Sequence, residues 1–336
     1  MQRDALIAIA SGLLSAFTAL AYLGGSAVAL IFVYLAPVPI LLVGLGKGTK
    51  AATIAAGTGF IATGAMGGML LAGIYGMVYA LPAWIVTRFV MQQRPTGSGP
   101  TGTGSSDTTG TGDQAGVEWY PIGPALTALA LLATGLILMA ELMTGDAGLK
   151  GTIEAHMAEA FQVLVPMADE VWRERAIEVV LPLFPGAVGV SWVILTAVNA
   201  VIAQGALVRM GRNLRPSPAY AELDLPQWAS WPLILSAGAA LSGPLLGMED
   251  LGYLGRNTAM VMAVPYFFLG LAVIHTLARR VTATTTILVV VYLVVLMSGW
   301  AALVVAGVGV VEQWVGLRDR SKELDAGTGP GSGNDE

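Results

Sequence analysis

The chain has 336 residues, of which 55% are hydrophobic and only 12% charged, with a mean hydropathy of +0.71 and a net charge of -5. That charged fraction is about half the globular norm, which points to a membrane-embedded chain, and the acidic balance gives no positive field for nucleic acid. Cysteine is absent, which excludes disulfides, thiolate metal sites and cysteine nucleophiles, and the two histidines, His156 and His275, have no metal-ligand spacing.

From Ala5 to Thr87 the only charges are Lys47 and Lys50. A spanning helix needs about 20 mostly apolar residues, so this block predicts several spans in succession. Arg3, the apolar run after it and the small-x-small Ala27-Val28-Ala29 outline a cleavable leader. Asp4 cancels Arg3, however, and the run resumes beyond Ala29, so the expectation is a retained first span over 5–23. The second span, 28–46, contains Pro37 and Pro39. Each removes a backbone donor and crowds the preceding turn, so the helix must kink or open there. The result is either a packing kink or a broken helix of the kind that lines transporter sites.

Past Lys50 the chain is expected to reverse near Gly67-Gly68, giving two spans of about 18 residues, roughly 27 Å each. Small residues recur at every fourth position at Ala52 and Ala56, then at Gly64, Gly68, Ala72, Gly76 and Ala80. They predict two short close-packing faces, or alternatively a ligand groove floored by glycine.

Residues 91–119 turn Gly/Ser/Thr-rich and lose periodicity, as a flexible linker does. The linker separates an amino-terminal four-span unit, 1–90, from a carboxyl-terminal membrane unit, 120–316, and 317–336 reads as a disordered tail. A fifth span covers 121–143. The acidic segment 150–180 carries Ile153, Met157, Phe161 and Leu164 on one helical stripe, predicting a helix or helix pair on the membrane surface, broken at Pro166. Within it Glu170 and Glu174 stand one turn apart, as an acid pair for a cation or proton or as a solvated face.

The sixth span, 182–208, holds Asn199 and Gln204. Asn199 is the deeper, and its amide needs a neighbouring helix or a ligand. Spans follow at 228–247, with Trp228 and Trp231 as interfacial anchors, and at 258–278. Asn257, His275 and Glu312 are further polar candidates near the membrane. The stretch 282–314 would be about 50 Å long as one helix; splitting it near Ser298-Gly299 gives ten crossings. With the amino terminus cytoplasmic, thirteen of the seventeen basic residues then fall inside. The expected fold is all-α: a polytopic transmembrane helical bundle of about 8–10 spans, with a surface amphipathic helical segment.

Three features occur in a telling order. Tyr34-Leu35-Ala36-Pro37-Val38-Pro39 runs into Gly44-Leu45-Gly46. Asn257 precedes Pro265-Tyr266-Phe267-Phe268-Leu269-Gly270-Leu271-Ala272-Val273-Ile274-His275, and a glycine-rich span ends in Glu312-Gln313-Trp314 and Arg318. Over about residues 1–320 this resembles the YybS-like family of predicted bacterial membrane proteins (domain of unknown function 2232). The family's acidic-x-Trp-x-x-x-Arg ending is altered here, because Glu312 and Arg318 lie six apart with Gln313 between Glu312 and Trp314. The family is in turn distantly similar to the substrate-capture subunits of energy-coupling-factor vitamin transporters. That resemblance implies a small-molecule permease component in a bacterial inner membrane and carries over no functional residue, while ten crossings and the basic residues put both termini on the cytoplasmic side.

The functional expectation is therefore a small-solute transporter or substrate-capture component, with Pro37, Pro39 and Asn199 as ligand-binding candidates. Its partners would be the lipid bilayer and a small-molecule substrate. The alternative is a non-transporting membrane scaffold or assembly protein that binds a membrane or cytoplasmic protein. No Ser/His pair, paired aspartates or HExxH lies in the spans, so neither enzymatic activity nor a cofactor or metal is expected.

Overall fold

The computed structural model describes residues 2–25, 27–95, 117–279, 281–318 and 320. Packing gathers the chain into two compact units, 1–125 with 196–218 and 126–195 with 219–336. One helix, Phe184–Arg209, contributes residues to both units.

The first unit is built on α1 (Gln2–Ala19), α2 (Ala27–Tyr34), α3 (Val38–Lys47), α4 (Thr49–Tyr75) and α5 (Leu81–Val90). The second apolar segment is broken where the prolines demand it: α2 stops at Tyr34 and α3 restarts at Val38, with Pro39 in its first turn, where a missing N–H breaks no helical bond. The reversal at Gly67-Gly68 is present as well. Gly68 adopts φ +84°, and the two arms fold back around it: Gly59 faces Tyr75, Gly64 faces Ala72, and Trp84 Nε1 donates to Thr53 Oγ1 at 3.0 Å. A Cβ on Gly59 would overlap the Tyr75 phenol, so the recurring small residues do let the helix backbones approach closely. A π-helical turn, Gly76–Ala80, separates α4 from α5. It widens the helix just before Pro82, which cannot donate to the preceding turn.

Basic residues collect at one end of this unit. Lys47 pairs with Asp4, Gly46 lies against the backbone of Arg212, and Arg215 reaches the carbonyl of Val90. Beyond α5, β1 (Gln93–Pro95) and β2 (Val117–Trp119) form an antiparallel ribbon, with Arg94 opposite Glu118. These strands fall at the two edges of the expected linker 91–119; its centre, 96–116, lies outside the described residues, as does most of the tail.

The second unit contains α6 (Gly123–Met143), α7 (Gly148–Leu164), α8 (Glu170–Val180), the first part of α9 (Phe184–Arg209), α10 (Ser230–Leu245), α11 (Glu249–Ala278), α12 (Thr284–Met297) and α13 (Gly299–Val315). Helix α11 supplies much of its core, including Tyr253, Val261, Met262, Tyr266 and Leu269. It pairs antiparallel with α10 around Gly247, with Gly243 on Gly252 and Gly255 on Ala239 and Ala240. Helix α13 crosses α11 backbone to backbone at Gly270 and Gly309.

The carboxyl-terminal halves of α11 and α13 meet the same strap, 219–229. Tyr220 OH donates to the Phe268 carbonyl at 2.9 Å, Gln313 Nε2 to Leu225 at 3.3 Å and Arg318 Nη1 to Ala221 at 2.7 Å. Helix α12 ends at Ser298, whose extended backbone (φ -140°, ψ 115°) separates it from α13. The expected split of 282–314 is the one adopted.

Helices α7 and α8 are separated at 165–169, where Asp169 caps α8 by accepting from Trp172 N at 2.7 Å and Phe161 packs edge-on against Trp172. Ile153, Met157 and Phe161 are half-buried, whereas Leu164 is 75% exposed. The stripe ends a turn early because the helix ends there.

Among the described residues, six helical segments are long and apolar enough to cross a membrane: Gln2–Tyr22, Val28–Lys47, Thr49–Val90, Gly123–Met143, Glu170–Arg209 and Glu249–Ala278. The protein is a polytopic transmembrane helical bundle.

Candidate functional site

The break in the second span leaves carbonyls that the helix itself cannot satisfy, and in hydrocarbon each must find a donor. Every one from Ile31 to Pro37 has one. Leu35 N serves Ile31 and Phe32, Ala36 N serves Val33, Val38 N serves Leu35 and Leu41 N serves Pro37. The remaining two are met from other helices. Asn199 Nδ2 on α9 donates to the Tyr34 carbonyl at 2.8 Å. Ser15 Oγ on α1 donates to the Ala36 carbonyl at 2.6 Å. Tyr75 OH, from the far arm of the hairpin, then donates to Ser15 Oγ at 2.8 Å.

Asn199 therefore meets the break at Tyr34, three residues before Pro37, and Pro39 is buried in the first turn of α3. The amide is completely buried. Its orientation is fixed, since only the NH2 group can donate to Tyr34. Asn199 Oδ1 is left buried with no donor among the described residues. An unpartnered buried acceptor costs about 1–3 kcal/mol, so among the described residues of the first unit this is a point of unmet hydrogen-bonding capacity.

A groove of about 390 Å³ lies elsewhere in the unit, along the hairpin between Ala56, Phe60, Gly73, Gly76, Ala80 and Trp84. It realises the glycine-floored groove, but its walls are apolar and the Trp84 N–H is engaged by Thr53. Nothing in it would orient a polar solute.

In the second unit the polar candidates are engaged structurally. Asn257 is fully buried and saturated: it accepts from Gly186 N at 2.8 Å and donates to Tyr253 at 2.8 Å and Pro182 at 3.1 Å. It thereby secures the proline-rich start of α9 against α11. His275 shares Nδ1 with the Leu271 carbonyl at 2.8 Å and packs edge-on between Tyr220 and Tyr292. Glu312 holds Arg318, taking Nε at 2.5 Å and the backbone N–H at 3.2 Å, which closes the end of α13 over Gly316. Among the described residues no group of three His, Asp or Glu could hold a metal ion.

A family described as "Predicted membrane protein (DUF2232)" matches residues 125–312, more than half of the chain. The chain belongs to this family. The match is shorter than the expected 1–320: Asn199, Asn257, His275 and Glu312 lie inside it, and Pro37 and Pro39 precede it. Comparisons with curated proteins and with solved structures return no match.

Sequence reasoning missed Ser15 and Tyr75, because a hydroxyl on an apolar helix carries no periodic signal. It also missed Arg215, whose place in a basic loop carries no signal of burial. Gln204 proves to donate to the Arg215 carbonyl at 2.9 Å, in keeping with its place at the basic end of its span.

Proposed function

We propose that this DUF2232 protein is a small-solute transporter or substrate-capture component of a bacterial cytoplasmic membrane, with both termini cytoplasmic. The observation that supports this is the buried, donor-less Oδ1 of Asn199 beside the broken second span. Discontinuous helices backed by polar side chains are how transporters build midplane sites. A lone acceptor favours a solute with a hydroxyl, amide or ammonium donor.

A second reading, a non-transporting scaffold or assembly protein, has its own support in the complete satisfaction of carbonyls 31–37 by the protein. In that case Asn199 is interhelical glue. The test is native mass spectrometry of the purified chain in mild detergent, wild type against Asn199→Ala. A small molecule retained by the wild type and lost from a still-folded variant supports solute binding. Loss of stability alone, with no small molecule on either protein, favours the scaffold.

A further inference from the structure

The described residues of the first unit carry a strong imbalance of charge. Among its described residues are two carboxylates, Asp4 and Glu118, against eight basic residues: Arg3, Lys47, Lys50, Arg88, Arg94, Arg209, Arg212 and Arg215. Both carboxylates are already taken, Asp4 by Lys47 and Glu118 by Arg94 through a two-pronged pair at 2.7 Å.

Arg215 stands apart from the other basic residues because it is only 6% exposed. Its guanidinium donates Nη1 to the Val90 carbonyl at 2.7 Å and lies over the Trp119 ring, 5.6 Å from the centroid. Its own carbonyl is gripped by Gln204 and Asn213. The residue is thus held at both ends. Among the described residues no acid faces it, and burial lowers its pKa without any opposing charge.

A buried cation lacking an opposite charge costs several kcal/mol, which a bound anion would offset. A guanidinium offers five N–H donors in a planar fork that matches the oxygens of phosphate, and one neutral carbonyl uses a single donor. We propose that Arg215 anchors an anion site for one phosphate or one phosphodiester headgroup of net negative charge, not a zwitterionic one, at the basic end of the first unit, with the end of α5 and Trp119 fixing the fork. Anionic lipid headgroups and free phosphate both present this chemistry.

The test uses the full chain in detergent, with phosphatidylglycerol, phosphatidylcholine or inorganic phosphate added separately. The readouts are lipid retention by native mass spectrometry and the thermal unfolding midpoint. Wild type should retain phosphatidylglycerol over phosphatidylcholine, and Arg215→Gln should weaken that retention about tenfold, the equivalent of one charge-assisted contact. Arg209→Gln, at an exposed position of the same end, should leave it unchanged. An Arg215-dependent rise in midpoint with inorganic phosphate alone would identify free anion as the occupant. If Arg215→Gln does not fold, Arg215→Lys decides the matter, since it keeps the charge and loses the fork. Equal retention by the Arg215 and Arg209 variants, or no preference for either anion in the wild type, overturns the proposal.

Discussion

The amide of Asn199 donates to the carbonyl of Tyr34, 165 positions away in the sequence and at the very residue where α2 ends. One side chain thereby joins a helix from the middle of the chain to the break in the second span. Replacing Asn199 by Ala should leave the Tyr34 carbonyl without a donor and lower stability by about 0.6–2 kcal/mol, the range of interhelical hydrogen bonds in membranes. Asn199→Asp should be at least as damaging, because a carboxylate cannot donate and would be a buried charge. Thermal unfolding in detergent reads both. A silent Asn199→Ala would mean that the break draws no stability from α9.

Ser15 and Tyr75 allow a sharper comparison. In the chain Tyr75 OH to Ser15 Oγ to the Ala36 carbonyl, deleting Ser15 strands both neighbours, whereas Tyr75→Phe removes only a donor. Ser15→Ala should cost about 1–3 kcal/mol, Tyr75→Phe nearer 1 kcal/mol, and the double variant less than their sum. Additive losses in a double-mutant cycle would show that the two hydroxyls act independently.

The breaks in this fold were legible because each has a local chemical cause. Pro37 and Pro39 interrupt the second span, Gly67-Gly68 the third, Pro166 the amphipathic segment and Ser298-Gly299 the last apolar stretch, and the chain turns or breaks at each. What packs against what was not legible. Lipid tails and protein cores are equally apolar, so a hydrophobic stripe does not tell a buried face from a lipid-facing one. The joining of residues 196–218 to the amino-terminal helices, the ribbon at 93–95 and 117–119, and the strap that reaches α11 and α13 all depend on such long-range choices. Around the break, the sequence singled out the prolines and the Asn199 amide but not Ser15, the second donor, or Tyr75 behind it.

Gly270 and Gly309 test the closest helix crossing. A Cβ on Gly309 would overlap the carbonyl oxygen of Tyr266, and one on Gly270 that of Val305. Backbone cannot rotate aside as a side chain can, so Gly309→Ala should cost about 3 kcal/mol, the upper end of overpacking. Gly307→Ala, two residues away and facing open space, should be near neutral. Equal unfolding midpoints for the two variants would contradict the crossing.

The ribbon should respond to acid. The Arg94 guanidinium holds the Glu118 carboxyl below its usual range, chiefly through their hydrogen bonds. Because the folded pKa is the lower one, the pair's contribution is present above the unfolded carboxylate pKa and is lost as pH falls through the folded value. Arg94→Gln should return the Glu118 titration, followed by NMR, toward that of an ordinary glutamate. A titration unchanged by Arg94→Gln would show that the pair does not persist in solution.

Orientation in the membrane can be read with single cysteines, because the chain has none of its own. Helix α9 lies between the acidic segment 150–180 and the basic loop at 209–227, and its 26 residues span about 39 Å, enough for one crossing of a hydrocarbon core of about 30 Å. Ser217 and Glu159 are both exposed and flank that crossing. If basic residues stay inside, Ser217→Cys should resist an impermeant thiol reagent in intact cells and react after permeabilisation. Glu159→Cys should react in both conditions. The reverse pattern would invert the protein and place both basic loop and termini outside. Matching accessibility at the two positions would mean that α9 does not cross, which would remove the depth argument that makes Asn199 a midplane residue.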